Sequence, residues 1–302
     1  MNQKKAVSKI GIAYALYIIT AILLSTLISL GIRNFADSSV ISSNNFRLIV
    51  GTVPSYIFAF TLTWFIIRKI PKMPPDPKKI TCSWFFMLIP ISFAAMYIGA
   101  FIGLGAGSLL NLIPNVNITN STSDIIMKSN LFLVLLIVVI VGPIFEELLF
   151  RKFLLDRLRP ISAHVGLALS AVMFGLFHEN VYQFFYAVLL GLILGSIYLN
   201  TGRIRYTIFI HMTINFFGSF FPILLQKING GNNSTYIFGL FIILMIFTGI
   251  IMFCINIKAF KVEEVQWSVP YGSRFKTIFL APGMFLFYLV SIASFILTIF
   301  MK

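Results

Sequence analysis

Two adjacent glutamates, Glu146 and Glu147, follow the uncharged apolar run LFLVLLIVVIV (131–141). A carboxylate at the centre of a membrane helix costs at least about 2.5–3.5 kcal/mol on insertion scales. Neighbouring carboxylates also repel each other, so each must be paired, protonated or hydrated. The pair therefore indicates either a chemical site inside a membrane or a hydrated position at its surface, where Arg151 and Lys152 would neutralise both.

Helical geometry separates the environments of the two glutamates. If residues 143–158 form a helix, Glu147 and Arg151 are four residues apart on one face and form an ion pair. Glu146 then points about 100° away from Glu147. Pro143 removes a helical hydrogen bond and bends or restarts the helix. We therefore predict that Glu147 is neutralised by Arg151, while Glu146 faces the interior of a bundle.

Two histidines and an asparagine are predicted to lie at a similar depth to Glu146. A short basic turn near 158–161 joins two apolar segments into a hairpin, with Glu146 roughly 18 Å and His178 roughly 25 Å from the turn. His211 and Asn215 lie roughly 10–18 Å into a later segment, one helical turn apart on one face. Each could instead be a packing residue or an interhelical hydrogen-bonding group. The shared depth of all four favours a common site.

The composition is that of a membrane protein. Hydrophobic residues make up 59% of the 302 residues and charged residues only 11%, against about 25% charge in soluble domains. Helices are expected because lipid offers backbone groups no partner. We predict an all-α polytopic transmembrane bundle of about 8–9 spans. The candidate segments are 10–32, 46–67, 84–112, 129–150, 161–178, 182–199, 204–225, 235–257 and 277–301.

The positive charges predict the orientation of the bundle. The net charge of +14 fits an excess of lysine and arginine in cytoplasmic loops, so nucleic-acid binding is not indicated. With the N-terminus in the cytoplasm, most of the 23 basic residues fall on that side. These are Lys4, Lys5, Lys9, Arg68, Lys69, Lys72, Lys78, Lys79, Arg151, Lys152, Arg157, Arg159, Arg203, Arg205, Lys258, Lys261, Arg274 and Lys276.

The remaining landmarks lie at the predicted membrane surfaces. His164, at the inner start of its segment, is predicted to be interfacial. Cys82 and Cys254 imply no disulfide framework. The first apolar stretch is too long for a signal-peptide core, and we expect it to be a retained span. The many isoleucine, lysine and asparagine residues suggest an AT-rich bacterial genome, so we expect a multi-pass protein of a bacterial cytoplasmic membrane.

Three short motifs resemble those of a known family. EELLFR (146–151) fits E-E-x-x-x-R, FGLFH (174–178) fits F-x-x-x-H, and HMTIN (211–215) fits H-x-x-x-N. In this order they resemble the type II CAAX prenyl endopeptidases and their bacterial relatives, the CPBP (CAAX protease and bacteriocin-processing) or Abi family. The resemblance divides one membrane domain, 1–302, into N-terminal spans (1–128), a catalytic core (129–225) and C-terminal spans (226–302). Because the family has eight helices, one of the nine segments is expected not to span.

This resemblance implies an intramembrane endopeptidase in which a glutamate activates water. The roles carried over are the base for Glu146, water binding or deprotonation for His178, oxyanion stabilisation for His211 and Asn215, a supporting ion pair for Glu147 and Arg151, and the shape of the pocket for Phe174. A partly desolvated carboxylate is a better base near neutral pH. Water must reach the site, so we expect a cavity that opens toward the cytoplasm.

The involvement of a metal is left open by the sequence. Glu146, His178 and His211 could supply three zinc ligands with an open fourth position. The zinc-protease motif H-E-x-x-H is absent, because HENVY (178–182) has tyrosine at the second histidine position. The family resemblance favours glutamate chemistry without a cofactor, and zinc is kept as the alternative.

Three functions are carried forward. The first is hydrolysis of a peptide bond in a membrane-associated peptide or small membrane protein. CAAX-type processing, leader-peptide processing, and bacteriocin maturation or immunity are its candidate settings. The second is a non-enzymatic membrane regulator or bacteriocin immunity protein that retains the fold. The third is an ion transporter or proton-coupled transporter, because intramembrane Glu and His residues often carry ions. The expected partners are membrane lipid and a peptide substrate, and the oligomeric state is left open.

Overall fold

A computed structural model describes residues 2–114, 116, 118–229, 233–265 and 270–300. These residues form helices and connecting segments without a β-strand. The all-α polytopic architecture predicted from the sequence is therefore confirmed. In chain order the helices are α1 Gln3–Ile32, α2 Ser38–Ser42, α3 Asn44–Ile67, α4 Cys82–Leu110, α5 Ser121–Lys128, α6 Leu131–Leu158, α7 Ala163–Leu176, α8 Val181–Thr201, α9 Ile204–Ile228, α10 Asn233–Ile255, α11 Tyr271–Phe279 and α12 Pro282–Phe300.

The number of helices able to cross a membrane is smaller than the nine candidate segments. Within the described residues, seven helices are long and apolar enough to cross, or eight if the bent pair α11 and α12 forms one span. The segment predicted at 161–178 is too short to cross a membrane as a helix. Its helix α7 has only 14 residues, about 21 Å at 1.5 Å per residue, against a hydrocarbon core of about 30 Å.

Polar residues between the apolar runs determine where several helices begin and end. The side chains of Thr81, Ser162 and Asn180 each accept a hydrogen bond from a backbone N–H in the first turn of α4, α7 and α8. Helix α8 ends at Gly202, whose φ of 62° is in the left-handed region. A side chain at Gly202 would also collide with the backbone of Asp76. Both the backbone conformation and the lack of space therefore require glycine there.

Connections between helices gather at two opposite ends of the bundle. We call residues 68–81, 156–163, 200–205 and 256–265 the basic end, where the N–H of Met73 donates to Asp156 O at 2.6 Å. We call residues 33–45, 177–181 and the described residues of 111–130 the polar end, where Asn180 Nδ2 donates to Asn120 Oδ1 at 2.9 Å. The assignment of the basic end to the cytoplasm stays a prediction.

Glycines let the helices around the site approach closely. Helices α4 and α8 meet at Gly99, where an added Cβ would lie 2.3 Å from Tyr186 Cα. Small residues at such contacts are typical of helix packing in membranes. On the other side of the bundle, the buried Tyr14 of α1 donates its hydroxyl to Leu149 O at 2.7 Å. Helix α6 is thereby tied to α1, and α8 is held against α4.

Helix α6 departs from regular α-helical geometry on both sides of the glutamates. Its segments Val134–Val141 and Leu148–Leu155 are π-helical, with Gly142–Glu147 between them. A third π-helical turn, Phe216–Phe220, follows Asn215 in α9. Such turns shift the side chains that follow them and are frequent at functional sites. The predicted restart of the helix at Pro143 therefore takes the form of a change in hydrogen-bonding register.

Candidate active site

Glu147 and Arg151 form the ion pair predicted from their spacing. Arg151 Nε lies 2.9 Å from Glu147 Oε2, and Arg151 Nη2 donates to Glu147 Oε1 at 3.3 Å. Both side chains are fully buried. Arg151 also donates to Ser170 Oγ at 3.3 Å, which links α6 to α7. A buried pair is stable only when its remaining hydrogen-bonding groups are satisfied, and Ser170 supplies one of these partners.

Glu146 points away from this pair into a cavity, and 27% of its side chain is exposed. Gly142, one turn earlier, borders the same cavity. An added Cβ at Gly142 would lie 3.2 Å from the hydroxyl oxygen of Tyr56 and 3.6 Å from Glu146 Oε1. The absence of a side chain at Gly142 leaves room beside the carboxylate. Glu146 is thus the acidic side chain that borders the cavity.

His211 lies between the two glutamates. Its Nδ1 is 3.3 Å from Glu147 Oε1, and its Nε2 is 3.6 Å from Glu146 Oε2. The imidazole is 3% exposed. The contact with Glu147 orients the ring so that Nε2 faces Glu146. The structure therefore connects the buried ion pair to the exposed carboxylate through one imidazole.

His178 follows the C-terminus of α7. Helix α7 ends at Leu176, so His178 lies in the turn beyond it rather than within a helix as the depth argument assumed. Its Nδ1 is 2.8 Å from Phe174 O. A proton on Nδ1 donated to that carbonyl leaves Nε2 as the acceptor in the neutral ring. The next residue, Glu179, has a φ of 50°, an uncommon conformation for a residue with a side chain.

Asn215 contacts the irregular part of α6. Its Nδ2 donates to Val138 O at 2.9 Å. In the π-helical register that precedes Gly142, the N–H of Gly142 bonds to Ile137 O, five residues back. The next N–H in that register would belong to Pro143, which has none. Asn215 therefore supplies the donor that Pro143 lacks, and its amide nitrogen retains a second hydrogen for other bonds.

Phe174 packs against both histidines and the arginine. Its ring makes edge contacts with His178 and His211, at centroid distances of 5.0 and 5.8 Å. The Arg151 guanidinium carbon lies 5.8 Å from the ring centroid. Because Phe174 is almost fully buried, it fixes the spacing of these groups without offering a polar atom of its own.

One cavity of about 550 Å³ brings the predicted residues together. Glu146, Phe174, His178, His211 and Asn215 all line it, whereas Glu147 and Arg151 lie behind it. The cavity extends toward the polar end of the bundle. None of its lining residues belongs to the basic end. The expected opening toward the cytoplasm and the predicted cytoplasmic position of the basic end therefore cannot both hold.

Several lining residues were not found from the sequence. Tyr56, Tyr186 and Gln183 border the cavity, and Arg47 lies near its polar end. None of them belongs to a motif or stands out by spacing. Tyr56 stacks on Phe145 at a centroid distance of 4.9 Å, and only the packed bundle reveals this contact. His164 is outside the cavity and contacts Glu264 at 2.9 Å instead.

The fit of a zinc ion can be tested on the candidate ligands. Within the described ranges, no three His, Cys, Asp or Glu side chains converge closely enough to hold a metal ion. The candidate set was Glu146, His178 and His211. His211 directs Nδ1 to Glu147 and Nε2 to Glu146, and His178 uses Nδ1 on a backbone carbonyl. The residues in this arrangement do not form a zinc site.

Comparisons with known proteins find similarity to membrane peptidases. Residues 128–217 match the family model described as type II CAAX prenyl endopeptidase Rce1-like. These residues include all seven predicted site residues. The chain is 27% identical over 175 residues to a Bacillus subtilis protein named "Putative membrane peptidase YdiL". The aligned region covers 55% of this chain and 68% of that protein. No solved structure matches the chain.

Proposed function

We propose that the chain is a membrane endopeptidase similar to the type II CAAX prenyl endopeptidases, and that Glu146 is the base that activates water for hydrolysis of a peptide bond. One observation carries this proposal. Glu146 is the acidic side chain in the lining of the cavity, and His178, His211 and Asn215 border the same space. A carboxylate within hydrogen-bond reach of a bound water can accept its proton and so act as a general base.

The proposed first step is attack by water on the substrate carbonyl. The water oxygen forms a bond to the carbonyl carbon while one of its protons passes to Glu146. His178 accepts a hydrogen bond from the second proton of the water through Nε2, because Nδ1 is directed at Phe174 O. The two residues together hold the water in one orientation, which removes part of the entropic cost of the reaction.

The negative charge on the carbonyl oxygen needs donors in the transition state. His211, when protonated on both nitrogens, donates Nδ1–H to Glu147 and presents Nε2–H to the cavity. The second amide hydrogen of Asn215 is the other candidate donor, since the first goes to Val138 O. Preorganised donors of this kind contribute several kcal/mol in comparable sites. Glu146 then returns its proton to the leaving amine nitrogen as the C–N bond breaks.

Glu147 and Arg151 support the site without touching the substrate. The Arg151 guanidinium neutralises Glu147, and Glu147 holds the His211 ring. The guanidinium thereby lowers the cost of keeping the Glu147 carboxylate buried.

We further infer that the substrate is a membrane-associated peptide or a small membrane protein. The cavity volume of about 550 Å³ falls in the usual range for ligand sites of about 300–1,000 Å³. Leader-peptide processing and bacteriocin maturation or immunity are the settings that we favour. A CAAX-type C-terminus is the alternative substrate.

The proposal is tested by comparing peptides in cells that carry wild-type protein or Glu146→Gln. We expect at least one small peptide or membrane protein to remain uncleaved in Glu146→Gln cells. Glu263→Gln is the matched control, because Glu263 is exposed and lies outside the site, and it should leave processing intact. If Glu146→Gln inserts normally and no peptide changes length, the protease mechanism is contradicted.

Further measurements on Glu146→Gln and on the purified protein separate the alternative functions. A non-enzymatic regulator predicts that Glu146→Gln keeps the full cellular phenotype. A transporter predicts ion flux in proteoliposomes that depends on Glu146, without peptide cleavage. Once a substrate is known, metal analysis of the purified protein and cleavage in the presence of a chelator decide whether zinc takes part. Loss of cleavage with the chelator and recovery with added zinc would support the zinc alternative.

A further inference from the structure

We propose that the substrate reaches Glu146 from the polar end of the bundle, which faces away from the cytoplasm. The substrate is then a peptide exposed on that side of the membrane, either an exported peptide or a non-cytoplasmic segment of a membrane protein. This inference rests on Glu146 as the reacting group, which is the proposed function above. It adds the side of entry and the class of substrate.

The lining of the cavity identifies its mouth. Near the polar end the lining is rich in uncharged polar side chains from four helices and one connection, namely Thr52, Asn120, Thr122, Ser123, Gln183 and Ser219. Helix α5, which carries Thr122 and Ser123, belongs to the polar-end connection between α4 and α6. Hydrogen-bonding groups of this kind suit a hydrated peptide backbone better than lipid tails.

The opposite direction is closed by buried residues. On the basic-end side of Glu146, the side chains of Glu147, Arg151, Ser170 and Thr207 are all fully buried. They bond to one another or to nearby backbone, as in the 3.3 Å contact from Arg151 to Ser170. Below them, Leu158 and other leucines of α6 are also fully buried. A peptide entering from the basic end would have to break this layer.

Charge identifies which end faces the cytoplasm. Lysine and arginine concentrate at the basic end, with Arg68, Lys69, Lys78 and Lys79 in a single connection. Short loops that are rich in these residues stay on the cytoplasmic side during insertion. The polar end, including the connection at 111–130, carries few of them. The mouth of the cavity therefore faces the non-cytoplasmic space.

A thiol placed in the cavity tests the side of entry without a known substrate. Ser219→Cys introduces a nearly isosteric thiol in the lining, in a background where Cys254 is replaced by serine. The native Cys82 is exposed at the basic end and serves as an internal reporter for that face. Thr213→Cys, on the same helix but outside the cavity lining, is the matched control for a thiol in contact with lipid.

The probe is a membrane-impermeant thiol reagent applied to intact cells and to permeabilised cells. We expect Ser219→Cys to be labelled in intact cells, Cys82 only after permeabilisation, and Thr213→Cys in neither case. Ser123→Cys, nearer the mouth, provides a second variant in case Ser219→Cys fails to insert. Labelling of Ser219→Cys and Ser123→Cys only after permeabilisation, or not at all, would overturn the proposal. This result would leave the protease proposal standing, because peptide processing is measured separately.

Discussion

The side chain of Asn215 replaces a backbone hydrogen bond that Pro143 cannot make. Asn215 Nδ2 donates to Val138 O at 2.9 Å, and Val138 is five residues before Pro143, the spacing of the π-helical register around Gly142. An unpaired backbone carbonyl inside the bundle costs free energy. Asn215 therefore stabilises the irregular turn that carries Glu146, whatever its part in catalysis.

This relationship predicts that substitutions at Asn215 and Pro143 are coupled. Asn215→Ala should lower the free energy of unfolding by about 1–3 kcal/mol, because it leaves Val138 O unsatisfied. Pro143→Ala restores an N–H at the position that can reach this carbonyl, so the double variant should recover part of the loss. Thermal unfolding of the four proteins in detergent measures the coupling. Strictly additive effects would contradict the assignment.

Cleavage by the double variant separates two roles of Asn215. If Asn215 also donates to the oxyanion, Pro143→Ala should restore stability to Asn215→Ala without restoring cleavage. Each lost donor in an oxyanion site typically lowers kcat by about 10²–10³-fold. The measurement is the rate of cleavage of the peptide identified through Glu146→Gln. Full recovery of both stability and rate would show that Asn215 acts only by supporting α6.

The buried ion pair predicts a large cost for removing one partner. Arg151→Met leaves the Glu147 carboxylate buried without its guanidinium, and we expect a loss of about 3–5 kcal/mol. Replacing both residues, as Glu147→Gln with Arg151→Met, removes the uncompensated charge and should cost clearly less than the two single changes combined. Lys152→Met is the matched control on the adjacent position, with an expected cost below about 1 kcal/mol. Unfolding in detergent checks all four variants.

Glu264 predicts an acid-dependent loss of stability at the basic end. Burial by itself would raise the pKa of Glu264, but hydrogen bonds from Ser162, the Ala163 N–H and His164 outweigh it and lower the pKa to about 2. Because the unfolded value is 4.5, the ionised carboxylate stabilises the fold above that pH. The stabilisation is lost as the pH falls from there toward 2.

Glu264→Gln should therefore lower stability near neutral pH and flatten its dependence in this acidic range. The carboxylate accepts from the Ala163 N–H at 2.9 Å, at the N-terminus of α7, where a negative charge is favourable. Arg274 also approaches it, at 3.9 Å. Unfolding temperatures measured against pH check the prediction, with the exposed neighbour variant Glu263→Gln as control. An unchanged pH profile in Glu264→Gln would contradict it.

Arg47 predicts a positive potential at the mouth of the cavity. Apart from the two histidines, Arg47 and Glu146 are the ionisable side chains among the lining residues that the structure describes. Ser219→Cys should therefore react faster with an anionic thiol reagent than with a cationic one of similar size. Arg47→Gln should lower this rate ratio by about fivefold, as expected for roughly 1 kcal/mol of screened attraction. Arg33→Gln, at the polar end but outside the lining, should leave the ratio unchanged.

The spacing of residues along one helix predicted much of the site, because residues four apart lie on the same helix face. The pairing of Glu147 with Arg151 and the different direction of Glu146 both follow from this geometry. The bond from Asn215 to Val138 could not be predicted, because it joins residues 77 positions apart. Its local cause, a proline within a helix, is visible in the sequence. The catalytic roles of all seven residues stay predictions.

The sequence around the end of α7 contains an N-cap residue, Asn180, whose indication of a turn was outweighed by the apolar run before it. The apolar run continues through Phe177, and the hydrophobic pattern therefore favoured a segment as far as His178. Asn180 is a good N-cap, and its side chain accepts from Tyr182 N at 2.9 Å to begin α8. Read as a cap, Asn180 would have predicted a turn at 177–180. The direction of the cavity had no local signal, because it depends on how seven helices pack.

The shortness of α7 has a consequence for how the bilayer fits around the protein. A helix of 14 residues starting at one surface ends roughly 9 Å short of the far side of a typical hydrocarbon layer. The chain thus reverses direction below the far headgroups, with His178, Glu179 and Asn180 at a level where acyl chains would otherwise lie. Any lipid that faced this level would have to shorten or tilt. Acyl-chain length in reconstituted vesicles is consequently a variable that should tune the hydration of the imidazole at the tip of that helix.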